Sequence, residues 1–267
     1  MKIFLRHAPA RTEKYGLLRH AGFSLIELMI ALAIGLMLVA GLGMILFGVR
    51  STYLTQDGLM RMQEGERYLL TSLNNSVQMA GFFADPMRDT LLNALPENLN
   101  NPDGSSFAQG QGIAGTTSGG GASDTLNTRY QSASGDDAMN CLGGTNTSGA
   151  SVVWINSFAI DAGKHLVCTA TTIDATGART VNAAILVDDV VRMTVLYGVG
   201  TSADGQTSRY LGSAEVTAAN AWPDVVSVKV TLIQTDLVNG KPGAPNRPPL
   251  VHVINLMNNS GKRTKAT

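Results

Sequence analysis

The sequence is poor in the groups that most enzymes use. Its 267 residues include two cysteines, four histidines and 6% aromatic residues. No H-E-x-x-H, Walker loop, G-x-S-x-G or C-x-x-C occurs, which removes the usual signatures of zinc proteases, phosphate-loop NTPases, serine hydrolases and dithiol redox proteins. Beyond residue 22 the only histidines are His165 and His252. Each lies on a predicted strand, far in sequence from any cluster with metal-ligand spacing, so packing or surface roles are expected of both. Charge is also scarce, at 15% of residues, and residues 28–49 contain neither a charge nor a proline. As a helix, those 22 residues reach about 33 Å, enough to cross a bilayer core of about 30 Å.

What is present begins at the edge of this run. Glu27 sits just inside it, and a carboxylate is expensive to place in lipid, so it needs a partner. Upstream, Lys2, Arg6, Arg11, Lys14 and Arg19 stand against Glu13 alone, which places the N-terminus in the cytoplasm by the positive-inside rule. A general secretory signal is cut after its apolar segment, at small residues; here the small residue, Gly22, comes before that segment.

The stretch Gly22-Phe23-Ser24-Leu25-Ile26-Glu27-Leu28-Met29, preceded by basic residues and followed by an uninterrupted apolar helix, resembles the type IV prepilins. The resemblance implies that a prepilin peptidase of the inner membrane removes the leader 1–22 by cutting between Gly22 and Phe23. It also implies that Phe23 is then N-methylated. Glu27, at the fifth mature position, would pair with the terminal amine of a neighbouring subunit and set subunit register. That amine has a reference pKa near 8 and keeps its cationic charge on methylation, so it can neutralise a carboxylate in lipid.

The formal charge of the whole chain is zero, but removing the leader leaves fifteen basic and nineteen acidic residues, about −4. No basic signature for nucleic acid remains. Cys141 and Cys168 both follow the membrane run and so fall on its outer side. An oxidising periplasm favours a disulfide between them, contributing roughly 3–4 kcal/mol in the loop-entropy model; two free buried thiols are the other arrangement.

Past the membrane the helix is expected to continue over residues 50–81. Tyr53, Leu54, Met60, Leu69, Leu70, Leu73, Val77 and Ala80 recur at steps of three and four among Arg50, Arg61, Glu64, Glu66 and Arg67. Gly58 and Gly65 weaken it locally, and Gly81 followed by Pro86 stops it. Residues 98–123 are dominated by Gly, Ser, Asn and Gln and read as a long surface loop. The G-x-G-x-x-G string of Gly110, Gly112 and Gly115 within it lacks the preceding strand and following helix of a dinucleotide site. Asn101-Pro102-Asp103-Gly104 is a turn, and Asp136-Asp137 lacks the remaining ligand spacing of a calcium loop.

The remainder reads as strands. Leu126, Thr128 and Tyr130 alternate with Thr125, Asn127 and Arg129. Residues 151–160 and 165–169 flank the turn Asp161-Ala162-Gly163-Lys164 as a hairpin. Val191, Met193, Val195 and Tyr197 form one alternating set, and Val226, Val228, Val230 and Leu232 against Ser227, Lys229 and Thr231 form the clearest one. A last strand covers 250–256, before a solvated basic tail with Lys262, Arg263 and Lys265. Adjacent residues on a strand face opposite ways, so Asp188 and Asp189 are not expected to share a proton.

Four downstream pieces, in order, are similar to the PilW group of minor pilins. They are 124–130; Cys141 with Cys168; 186–193 running into 195–199; and Trp222-Pro223-Asp224-Val225-Val226-Ser227-Val228. Relatives often carry a further cysteine after the turn at Met79-Ala80-Gly81-Phe82, and none is present here. The resemblance implies an α+β pilin-like fold, with a long N-terminal helix packed on an antiparallel β-sheet. The expected parts are a cleaved leader 1–22, a transmembrane and filament-core helix 23–49, its amphipathic continuation 50–81, a periplasmic head 82–257 and a basic tail 258–267.

The implied function is that of a minor pilin that helps to initiate a type IV pilus in the inner membrane and is incorporated at its tip. The alternatives are a J-type minor pseudopilin of a type II secretion system, or a pilus-tip adhesin using the loop 98–123. The implied partners are the prepilin peptidase, other minor pilins, the major pilin, the inner-membrane assembly platform and the inner membrane itself. The chain would cross the inner membrane once with its head in the periplasm and then reach the cell surface in the pilus. Neither a cofactor nor catalysis is expected.

Overall fold

The computed structural model describes residues 22–98, 101–200, 206–235 and 248–258. The leader up to residue 21 and the basic residues of the tail lie outside them. Helix α1, Leu25–Gln78, runs through Gly58 and Gly65 without a break. Each glycine costs about 1 kcal/mol of helix propensity relative to alanine, and no proline intervenes to remove a backbone donor. The chain divides into two compact units, Met1–Leu54 and Thr55–Thr267.

In the second unit the helix buries Leu69, Leu73 and Val77, with Ala80 in the turn beyond, while Met60 stays exposed. The packed stripe is therefore shorter than the apolar periodicity suggests. The helix ends at Gln78, and Gly81 takes a φ of +79°, a left-handed conformation that suits glycine. The Gly81 N–H then donates to the Arg129 carbonyl at 2.9 Å, which fixes the helix end on the sheet.

Where one sheet was expected, the described residues form two, both antiparallel. The first has the order β1 (Ile113–Ala114), β2 (Leu126–Ser132), β3 (Val152–Ile160), β4 (Leu166–Ile173) and β5 (Arg179–Val187). The second has the order β7 (Arg209–Leu211), β6 (Val190–Val199), β8 (Val225–Gln234) and β9 (Leu250–Asn255). Short helices α2 (Leu91–Ala94) and α3 (Ser213–Ala218) lie in the connections.

One core is shared by both sheets and the helix. Leu126, Phe158, Cys168 and Ala170 from the first sheet meet Met193, Val195, Tyr197, Val228, Val230 and Ile254 from the second, around the helical stripe. Polar residues of α1 fasten it to both sides. Ser72 Oγ donates to the Cys141 carbonyl at 3.2 Å, Asn156 Nδ2 to Ser76 Oγ at 3.4 Å, and His252 Nε2 lies 3.1 Å from Asn74 Oδ1.

Segment 101–123 is not the free loop that its composition suggests. Phe107, Ile113 and Ala114 are buried, and Phe107 and Ala114 join Ile155 in a small second core. The organiser is Arg129 on β2, only 1% exposed. Its guanidinium donates to the carbonyls of Pro96, Ala108 (3.0 Å) and Gln111 (2.7 Å) and stacks 4.7 Å from the Phe107 ring. Burial pulls its pKa down to about 10, so it remains cationic near neutral pH and carbonyl dipoles offset the charge.

Asp103 gathers the same segment from the other end. It accepts hydrogen bonds from Ser105 Oγ at 2.7 Å, Asn127 Nδ2 at 2.6 Å and Thr125 Oγ1. Partial burial pushes its carboxyl up, but the hydrogen bonds from Thr125, Ser105 and Asn127 outweigh this and hold it below the usual carboxylate range.

Two outcomes follow from this packing. Arg129→Met strands several buried carbonyls and lowers stability by about 3 kcal/mol, read as a shift of the urea midpoint. Asp103 has a depressed pKa in the folded state, so its contribution is complete above the unfolded value near 3.8 and is lost as pH falls through the lower folded value. Asp103→Asn should therefore flatten the acid limb of stability against pH below about pH 4; an unchanged acid limb would show that this carboxylate is not linked to folding.

Candidate functional site

The residues singled out at the N-terminus lie together at the start of α1. The first turn closes through the Glu27 and Leu28 N–H groups, which donate to the Ser24 carbonyl at 3.1 and 3.2 Å. Glu27 occupies this first turn, where the positive end of the helix dipole favours a carboxylate. It has no ion-pair partner among the described residues. Phe23 is 83% exposed, and a Cβ built on Gly22 would meet nothing within 4 Å. Side chains at this end thus make no buried contact among the described residues.

From Leu25 to Leu54 no residue of the helix is buried. It is long and apolar enough to cross a membrane, and its most apolar stretch buries nothing against the chain. A helix that is hydrophobic all round and unburied needs lipid or other helices about it. Gly22 and Phe23 therefore lie immediately ahead of α1, and Glu27 in its first turn, at the head of an apolar rod.

The two cysteines lie elsewhere. Cys168 on β4 and Cys141 in the β2–β3 connection are disulfide-bonded, with Cα atoms 6.4 Å apart, and free cysteines are absent among the described residues. The bond ties that connection to the sheet at the point where Ser72 of α1 contacts the Cys141 carbonyl. The 27-residue separation corresponds to about 3–4 kcal/mol in the loop-entropy model.

Other candidate groups do not assemble chemistry. No group of three or more His, Cys, Asp or Glu that could hold a metal occurs among the described residues. Asp136 accepts from Ser132 Oγ at 2.8 Å, the Ala133 N–H at 2.7 Å and the Ala138 N–H at 3.0 Å, so its oxygens are used in capping its own turn. Of the glycine string, Gly112 and Gly115 are close-packing positions: a Cβ would collide with the Gly81 nitrogen and with Tyr197 Oη respectively. Gly110 and Gly112 also line a cleft of about 430 Å³ with Leu92, Ile113, Trp222 and Leu256. No ionisable side chain lines that cleft.

Asp188 and Asp189 are not within a strand, as the sequence suggested, but in the turn between β5 and β6, where Asp189 has a φ of +61°. Asp188 Oδ1 lies 3.7 Å from His165 Nε2, while Asp161 Oδ2 holds His165 Nδ1 at 2.9 Å. The hydrogen bond that His165 Nδ1–H donates to Asp161, with the charges of Asp161, Asp188 and Asp189, raises the His165 pKa above its ordinary 6.5. The residues that sequence reading missed are Arg129, Asp103 and Asp124. The Asp124 carboxylate accepts from the Ser118 and Val195 N–H groups, both at 2.9 Å, and so joins β6 to the segment ahead of β2. An acid ahead of a strand and an arginine within one were the only signals available, and neither names a distant partner.

Comparisons with known proteins bear on both ends of the chain. Residues 17–43 match the family model described as the prokaryotic N-terminal methylation motif, a span that includes Gly22, Phe23 and Glu27. Residues 156–250, from β3 to the start of β9, match the model described as Type IV Pilus-assembly protein W. A type IV-like pilin from Thermus thermophilus is similar at 13% identity, over 74% of this chain and 96% of that one, with a TM-score of 0.42. A chain of the GspK-GspI-GspJ complex of the enterotoxigenic Escherichia coli type 2 secretion system is similar at 13% identity, over 73% and 96%, with a TM-score of 0.36. No curated protein matches the chain.

For His165, the raised pKa means that its link to Asp161 stabilises the fold fully below the unfolded value of 6.5 and is lost as pH rises through the folded one. An NMR titration should give a midpoint above 6.5 that falls in Asp161→Asn, and an unmoved midpoint would show that Asp161 does not control it. In sequence, then, the chain matches the prokaryotic N-terminal methylation motif over residues 17–43, at the head of an exposed apolar helix, and the model described as Type IV Pilus-assembly protein W over residues 156–250 of its α+β head.

Proposed function

We propose that this chain is a minor pilin that helps to initiate a type IV pilus in the inner membrane and is carried at the pilus tip. The observation that carries the reading is the exposed apolar start of α1, with a single acid in its first turn, within a methylation-motif match and ahead of a PilW-type region. Cleavage between Gly22 and Phe23 frees an amine. Methylation at Phe23 keeps that amine cationic, and Glu27 of an adjoining subunit neutralises it in lipid, where an unpaired charge would be costly.

The apolar rod then packs among other pilin helices while the β-rich head faces outward. The partners are a prepilin peptidase, other minor pilins, the major pilin and the assembly platform. Segment 101–123 is anchored by Arg129 and Asp103, so it supports a structural role in the head rather than that of a free adhesive loop.

The test is to count surface filaments, with retraction blocked, in a strain lacking the protein. Filaments should be lost and return with wild type. Gly22→Val should leave the chain uncut and fail to restore them; because a Cβ at Gly22 would meet nothing within 4 Å among the described residues, such a loss reports on processing rather than folding. Glu27→Ala should be cleaved yet restore few filaments. Normal filament numbers in the deletion strain, accompanied by a loss of type II secretion, would assign the chain to secretion instead.

A further inference from the structure

The cleft beside Gly110, Gly112 and Trp222 lies wholly within the second unit, and at about 430 Å³ it falls inside the range of about 300–1,000 Å³ usual for ligand sites. Its wall is apolar because the polar groups of the segments that build it are engaged elsewhere. The carbonyls of Ala108 and Gln111 accept from the Arg129 guanidinium at 3.0 and 2.7 Å. The Gly81 N–H donates to the Arg129 carbonyl at 2.9 Å and the Gly110 N–H to the Leu95 carbonyl at 2.8 Å. The Trp222 indole N–H donates to Thr217 Oγ1 at 3.0 Å, and its ring meets Tyr197 edge-on with centroids 4.9 Å apart. Gly110, at a φ of +74°, lets this wall approach α2: a Cβ there would lie 2.9 Å from Leu92 Cδ2.

Two exposed carboxamides, Gln109 and Asn220, also line the cleft. Gln109 Nε2 donates to the Leu92 carbonyl at 3.1 Å, and the Asn220 side chain has no hydrogen-bond partner among the described residues. Each carboxamide therefore retains a donor and an acceptor. A peptide unit presents the same pair, one donor and one acceptor.

We propose that this cleft receives an uncharged, apolar side chain from an extended segment of another protein, while Gln109 and Asn220 hydrogen-bond the backbone of that segment. Charge selects this occupant. No ionisable side chain lines the cleft, so a charged group would lose its water without gaining a counter-ion. The same argument rejects the chain's own residues 259–267, which follow Asn258 at the cleft's edge and include Lys262, Arg263 and Lys265. A sugar is also a poor match, because its hydroxyls would face a wall whose indole and backbone donors are already engaged. None of this depends on the pilus reading above, so the two can fail separately.

The probe is a fluorescent, end-capped heptapeptide, Ser-Gly-Leu-Phe-Leu-Gly-Ser, titrated against the full chain in lipid nanodiscs and read by anisotropy. Replacing its phenylalanine by alanine should weaken binding about tenfold, and replacing it by lysine should abolish binding. Affinity should be the same at about 0.05 and 0.5 M salt, since no charge pair is involved. Leu92→Asp puts a carboxylate at an exposed position of the lining and should abolish binding, whereas Val251→Asp on β9 should leave it unchanged.

Asn220 has a φ of +47°, which glycine accepts, so Asn220→Gly removes the carboxamide and keeps the turn. It should weaken binding about fivefold, the loss of one hydrogen bond, and it decides the matter if Leu92→Asp lowers the thermal midpoint. Equal binding of the phenylalanine and alanine peptides, full affinity in Asn220→Gly, or binding that survives Leu92→Asp in a folded chain would overturn the proposal. Displacement of the peptide by methyl glucopyranoside would assign the cleft to a sugar instead. A tenfold gain in affinity when the chain ends at Asn258 would show that its own tail is the occupant.

Discussion

The head of this protein closes around one apolar stripe. Leu69, Leu73, Val77 and Ala80 recur at steps of four and three, so they share one side of the helical end, and that side is the only part of α1 that is fully buried. Both sheets contribute to the core around it, and neither has another layer to cover its inner face. Ser72, Ser76 and Asn74 add polar contacts on either side of the stripe, to the β2–β3 connection, to β3 and to β9. These hydrogen bonds specify the rotation of the helix, a variable that hydrophobic contact alone leaves loosely determined.

The opposite face of the first sheet is governed by polar chemistry. Arg129 places a cation where no carboxylate reaches it and satisfies it with main-chain carbonyls 18 to 33 residues away. Asp103 does the reverse, placing an anion among hydroxyl and amide donors from Ser105, Thr125 and Asn127. Together they convert a glycine- and serine-rich stretch with few apolar residues into a fixed cover for β2. The same region reaches β5 where Asn98, bridged to Phe107, accepts from Arg179, while Val181 and Ile185 of that strand stay exposed.

The N-terminal half of α1 obeys a different solvent. Its apolar residues outnumber anything the chain could bury, and the one charge in its first turn sits where the helix dipole tolerates it. The helix is thus apolar all round in its N-terminal part and amphipathic in its C-terminal part, and the first part is long and apolar enough to cross a membrane. Gly58 and Gly65 interrupt neither the hydrogen-bond ladder nor the helix, because glycine weakens a helix while keeping its N–H.

Features that depend on neighbours close in sequence were legible from the residues alone. The long helix announced itself by uninterrupted apolar spacing and then by steps of three and four. The β3–β4 hairpin followed from the Asp161–Lys164 turn, and β8 from strict alternation of Val226, Val228, Val230 and Leu232 with polar residues. The methylation-motif match over residues 17–43 was readable for the same reason, since such a motif is a local order of residues.

What only the tertiary structure decided depends on distant partners. The division into two sheets rests on which strands pair, and β5 showed no clean alternation because its residues are exposed on both faces. The burial of β2 on both faces, and the order in residues 101–123, follow from Arg129 and Asp103 reaching groups many residues away. Composition could not reveal this, because a guanidinium that collects carbonyls leaves no periodic trace in the sequence that supplies them.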